Sequence, residues 1–134
     1  MSICADLFIK NLESKNLKFA VRTADDGTVI VDFPYQGKVT KCIFSDENGC
    51  YFSLYLVYEE IPEEKFVDML FVCNQLNAKY KWVTFYIDDE KNLILHDDAI
   101  LSVDNAADEA FELLLRMVGI SEESKPVIMK GIYA

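Results

Sequence analysis

The stretch PEEKFVDMLFVCNQLNAKYKWVTFYIDDEKNLILHDDAIL (residues 62–101) decides the fold, because it reads as a helix followed by two strands joined through an acidic turn. Pro62 suits the first position of a helix, and Glu63 and Glu64 complement its N-terminal dipole. Through Asn77, at about 3.6 residues per turn, Phe66, Val67, Met69, Leu70, Phe71, Val72, Cys73 and Leu76 occupy most of the girth. Only a narrow polar wedge of Glu64, Asp68, Gln75 and Lys79 remains. Such a helix is expected to be covered on several sides, by the rest of the molecule or by another molecule. Asn74 and Asn77 fall inside the apolar arc. They either satisfy loose carbonyls at the helix end or form a buried polar pair that fixes the helix to the next strand or to a dimer seam. Leu70, Asn74 and Asn77 are thus the expected structural residues. Residues 82–87 and 92–101 follow as a hairpin through Asp88-Asp89-Glu90-Lys91.

Working outward, residues 2–13 predict a helix with Ser2 as N-cap. Cys4, Leu7, Phe8, Ile9 and Leu12 share one face, and Asp6, Lys10 and Glu13 the other. Four strand-like runs come next, at 18–23, 28–35, 39–45 and 50–59. The turns between them are Asp25-Asp26-Gly27, Gln36-Gly37 and Asp46-Glu47-Asn48-Gly49. Turns this short imply an antiparallel meander, since a parallel crossover needs about a dozen residues or more. Residues 106–118 predict a third helix, capped by Asn105 with Asp108 three residues on and ended by Gly119. The tail, 121–134, carries Pro126 and then Val127, Ile128, Met129, Ile132 and Tyr133, apolar enough to dock as a last helical turn or two. The order α-β-β-β-β-α-β-β-α defines an α+β fold, an antiparallel sheet with helices on one face, in a single domain over residues 1–134.

The bulk chemistry excludes several functions. With 51% hydrophobic and 27% charged residues the chain is globular in composition. No apolar run approaches the ~18 residues of a membrane span. The N-terminus lacks the basic start and apolar core of a signal peptide, so a cytoplasmic location is expected. Thirteen Lys and Arg against 23 carboxylates give a net charge of −10, without a basic stripe. Neither nucleic acid nor an anionic membrane is an expected partner. Cys4, Cys42, Cys50 and Cys73 show no C-x-x-C spacing and read as buried reduced thiols, and with one histidine no metal site is expected.

The strands have two distinct faces. Cys50, Phe52, Leu54 and Leu56, with Val83, Phe85 and Ile87, form the core face. The other face carries Ile30, Tyr51, Tyr55, Trp82 and Tyr86, lightened by Ser53 and Thr84. These aromatics either pair across strands or form a patch for self-association or a partner. They are the candidate protein-binding residues. His96 and Asp97 are adjacent in a strand and must diverge to opposite faces, so they make no general base with its orienter. The acidic pairs at 25–26, 59–60, 63–64, 88–89 and 97–98 read as solvated turn and helix-start charge. The 88–92 turn lacks the ligand pattern of a calcium loop. No phosphate-binding, nucleophile-elbow or zinc-protease motif occurs. No catalytic residue and no cofactor is assigned.

In this order the chain resembles the YbjN-like family, whose fold is similar to that of type III secretion chaperones. Three stretches carry the resemblance: residues 73–77 (CNQLN) closing the central helix, 81–88 (KWVTFYID) followed by Leu93-Ile94-Leu95, and the tail 124–133 (SKPVIMKGIY). Ser124 and Lys125 stand where the family often has aromatics. The resemblance implies a non-enzymatic, cytosolic protein of the kind labelled a bacterial sensory transduction regulator. The chaperones of similar fold are small acidic dimers that bind extended client segments, so a homodimer with a protein partner is the implied state.

The leading expectation is therefore a protein-binding module, chaperone-like or regulatory, engaging a protein segment through an apolar sheet face or a free edge. Two alternatives stand beside it. One is an immunity or antitoxin-type protein holding a basic toxin. The other is a small-molecule binder with its pocket between sheet and central helix, near His96 and Cys73.

Overall fold

The structure, a computed structural model, describes residues 2–45 and 51–134. Helix α1 (Ile3–Ser14) starts at Ser2, whose hydroxyl accepts from the Ala5 N–H at 3.0 Å. Strands β1 (Ala20–Thr23), β2 (Val29–Tyr35), β3 (Lys38–Ser45) and β4 (Tyr51–Glu60) follow. A single 3-10 turn at Glu63–Lys65 leads into α2 (Phe66–Lys79), then β5 (Thr84–Ile87), β6 (Asn92–Ile100) and α3 (Ala106–Tyr133). The turn expected at Asp46-Glu47-Asn48-Gly49, and Cys50 with it, lies outside the described residues.

The expected layout is the observed one: a six-stranded antiparallel sheet in the order β1-β2-β3-β4-β6-β5. Register follows from the turns. Tyr35 pairs with Lys38 across a two-residue loop in which Gln36 (φ 50°) and Gly37 (φ 79°) both take positive φ. That geometry matches the strand twist in a tight hairpin, and glycine meets it without strain. In the 88–91 turn the Asp88 carboxylate accepts from the Glu90 and Asn92 N–H groups at 3.0 and 2.9 Å. The Asp88 carboxylate thus builds the turn, beyond the solvated charge expected of it.

The core lies between the sheet and the helices. Phe8 of α1 meets Phe44 and Phe52 with ring centroids 5.3 and 6.3 Å away, and those two rings are 4.9 Å apart. Around this trio Leu12, Val31, Cys42, Leu54, Leu95, Leu114 and Met117 are fully enclosed or nearly so.

Two local expectations are corrected and a third is narrowed. Gly119 does not end the third helix, which runs on through Pro126 to Tyr133. Ala110, Leu114, Met117, Ser124, Ile128 and Ile132 are all buried, at helical three- and four-residue steps or their sums, so one continuous stripe drives the helix past both breakers. Pro126 is tolerated because it and Glu122, whose carbonyl loses its partner, both face solvent. Asn105 precedes α3 without capping it by its side chain, because its amide oxygen accepts from the Ser102 hydroxyl (2.8 Å) and N–H (3.3 Å) instead. Finally, the rest of the chain does not enclose α2, so of the two expected covers the molecule itself supplies only part. It buries Met69, Cys73 and Leu76, chiefly against α3 and β5, and leaves Val67, Leu70 and Phe71 exposed.

Candidate functional site

All three helices leave one side of the sheet open. Alternation turns Ile30, Ile43, Ser53 and Asp98 to that side in one cross-strand row, and Asp32, Lys41, Tyr55, His96 and Thr84 in the next. A third row holds Val57, Ile94 and Tyr86, and Tyr51 pairs with Ile100 at the far end of β4. Ile94 is only 4% exposed yet belongs to no part of the core cluster; it is buried on the open side, between Val57 and Tyr86. Tyr51, Val57, Tyr86 and Ile100 are themselves exposed, Ile100 at 82%.

The polar groups on this face are tied together. His96 stacks on Tyr55 with centroids 4.3 Å apart and meets Tyr86 edge-on at 6.2 Å. Its Nε2 lies 2.8 Å from Asp98 Oδ1, which also accepts from the Ser53 hydroxyl at 2.6 Å. Partial burial pushes the Asp98 carboxyl up, but the bonds from Ser53 and His96 outweigh it and leave the group below its ordinary value. Ser53 and His96 both address one oxygen, so they form no nucleophile–base pair. Burial, with Tyr55, Asp88 and Asp98 nearby, raises the Tyr86 phenol.

Asp97 points the other way, as strand alternation requires. Its Oδ2 is buried without a hydrogen-bond partner among the described residues. Burial raises its carboxyl, the Asp98 charge adds to that, and the Asp98 N–H to Oδ1 opposes it.

Of the five residues expected on the open face, Ile30, Tyr51, Tyr55 and Tyr86 are placed there. Trp82 is not. β5 begins at Thr84, so Trp82 sits in the preceding bend, where the Arg116 guanidinium of α3 lies 5.0 Å from its ring centroid. Val57, Ile94 and Ile100 were missed, although Leu93-Ile94-Leu95 is apolar at three successive positions, the signature of a strand covered on both faces.

Among the expected structural residues, Asn77 bridges α2 to β5. Its amide oxygen accepts from the Phe85 N–H at 2.7 Å and its amide nitrogen donates to the Phe85 carbonyl at 3.0 Å. Leu70 and Asn74 are instead exposed, because α2 packs through a single stripe. Val67, Leu70 and Phe71, at 62, 45 and 67% exposure, make a second apolar strip on the molecule.

His96 and Cys73 do not line a common pocket, since His96 is on the open face and Cys73 is on the core side of α2. Burial holds the Cys73 thiol up at about 11, and burial, with the Asp32 charge adding to it, raises Cys42 further. Both are protonated at neutral pH and poor nucleophiles. Among the described residues Cys4, Cys42 and Cys73 are buried, and no group of His, Cys, Asp or Glu is placed to hold a metal ion. No helix is long and apolar enough to cross a membrane among those residues.

These features define the class: an α+β protein with an antiparallel sheet backed by helices on one side and bearing an aromatic, partly buried surface on the other. Residues 5–121 match the YbjN family, described as "Putative bacterial sensory transduction regulator", and the chain belongs to that family. The comparison with curated proteins gave no match.

Proposed function

We propose that this chain is a non-enzymatic, cytoplasmic regulator that works by holding a protein segment on the open face of its sheet. The observation that carries the reading is Ile94: an apolar side chain buried outside the core, flanked by the exposed Val57 and Tyr86 with Tyr55 in the next row. Apolar and tyrosine side chains around a desolvated centre are the composition of a binding hot spot. The face is favoured over the β5 edge, because Asn77 already occupies the outward N–H and carbonyl of Phe85. A net charge of −10 favours a basic or neutral segment.

We assign the strip of Val67, Leu70 and Phe71 on α2 to a second copy of the chain. Contiguous exposed apolar residues mark an interaction surface, and a two-fold dimer is the commonest assembly of identical chains. That leaves the sheet faces of both copies free for the client.

The test is affinity capture from the source cells with the paired substitutions Val57→Ser and Tyr86→Ser. A protein retained by the parent chain should be lost when the two are combined, because hot-spot truncations cost roughly 2 kcal/mol or more each. The thermal midpoint should stay near that of the parent, since both side chains lie outside the core. Retention of the same protein by the double variant would contradict the assignment.

A further inference from the structure

Gly119 of α3 has no internal reason to be glycine. Glycine in a helix interior weakens the helix and is kept where a close approach requires it. Gly131 meets that condition, because a Cβ there would stand 2.7 Å from Met69 Sδ. At Gly119 a Cβ would meet nothing within 4 Å, and its φ is not positive.

What Gly119 leaves open is a shallow groove of about 480 Å³ between α3 and the bend leading into β5. Lys79, Tyr80, Lys81, Trp82 and Arg116 line it with Gly119, Ile120 and one carboxylate, Glu123. Three of the chain's thirteen cationic residues thus meet in one place on a molecule of net charge −10. Arg116 is fixed over the indole by Glu112 at 2.8 Å. Lys79 lies 3.8 Å from Glu123, which also accepts from the Tyr80 hydroxyl at 3.0 Å. Lys81 has no carboxylate within ion-pair distance among the described residues. Trp82 is 46% exposed, so an indole large enough to anchor a ligand is left half uncovered beside an unpaired ammonium.

We propose that this groove binds a small planar ring carrying an anionic group, with the ring laid against Trp82 over the Gly119 floor and the anion taken by Lys81 and Lys79. A protein partner needs roughly 800 Å² of each surface, more than these residues offer. The half-exposed indole favours a planar ring, because aromatic rings pair by offset or edge-to-face stacking. The site is separate from the open sheet face and tests independently of it.

Trp82 is the only tryptophan, so its fluorescence reports on this groove alone. The parent chain is titrated with AMP (a ring with phosphate), 4-hydroxybenzoate (a ring with carboxylate), adenosine and inorganic phosphate. At least one anionic ring should give a saturable change, and the stronger of the two identifies the anion. Adenosine and inorganic phosphate should bind roughly tenfold more weakly or not at all, since each lacks one of the two contacts. Gly119→Leu should abolish the response while melting no lower than the parent, and Lys81→Gln should weaken it roughly tenfold. No saturable change with either anionic ring at millimolar concentration would overturn the proposal. So would an undiminished response in both variants.

Discussion

Replacing Asn77 by alanine removes two hydrogen bonds at once, to the N–H and the carbonyl of Phe85 on the edge strand β5. An intramolecular hydrogen bond contributes about 0.5–1.5 kcal/mol net, so the pair is worth about 1–3 kcal/mol. The freed groups lie at a sheet edge that water can reach, which places the expected loss in the lower half, about 1–2 kcal/mol. For a chain of this length that lowers the thermal midpoint by about 3–10 °C. The local readout is sharper than the global one. The Phe85 amide should lose its hydrogen-exchange protection, whereas Leu93 and Leu95 on β6, interior to the sheet, should keep theirs. Asn77→Asp retains an acceptor for the Phe85 N–H but turns a carboxylate oxygen toward the Phe85 carbonyl, and should be at least as destabilising at neutral pH. A loss below about 0.5 kcal/mol, the scatter of ordinary surface changes, with Phe85 exchange unchanged, would refute the bridge.

The same substitution in one helix should act with opposite signs at its two glycines. Gly119→Ala should stabilise by up to about 1 kcal/mol from helix propensity, and Gly131→Ala should destabilise by about 1–2 kcal/mol, because overpacking the enclosed Met69 outweighs that gain; urea titration distinguishes them. Leu70→Asp should leave the fold intact and convert a dimer to a monomer in sedimentation velocity, whereas unfolding would show that Leu70 is buried after all. Asp97→Asn should raise the thermal midpoint at pH 7. The folded Asp97 pKa lies above its ordinary 3.8, so the unfolded chain loses this proton first and the charged group weakens the fold as pH rises. The advantage should therefore shrink as pH falls through the raised value and vanish below 3.8; a constant advantage down to that pH would contradict a strained carboxylate.

Much of the fold was legible because turn chemistry and alternation agree along the chain. Ser2, Gln36-Gly37 and Asp88 each announce an element boundary and each does that job in the structure. The end of α3 was not legible, because Gly119 and Pro126 are local breakers while the stripe through Met117, Ser124 and Ile128 acts over the whole helix; burial of the stripe prevails. The girth of α2 did not say what covers it. Apolar residues all round a helix state that something covers it, and here the described chain leaves Val67, Leu70 and Phe71 exposed. On the sheet, alternation placed Tyr51, Tyr55 and Tyr86 correctly, and it failed at Trp82 because the strand starts two residues later. The pairing of His96 with Asp98, two residues on and on the same face, follows from the same period of two that separates His96 from Asp97.

The most direct test of the central assignment is site-specific photocrosslinking in the source cells. A benzophenone side chain is placed at Tyr86 or Ile100 on the open face, at Phe71 on α2, and at Lys10 on the outer side of α1. The account predicts adducts to another protein from Tyr86 and Ile100, adducts to a second copy of this chain from Phe71, and none from Lys10. Self-adducts alone from Tyr86 and Ile100, or the same foreign protein from all four positions, would contradict the open sheet face as the protein-binding surface.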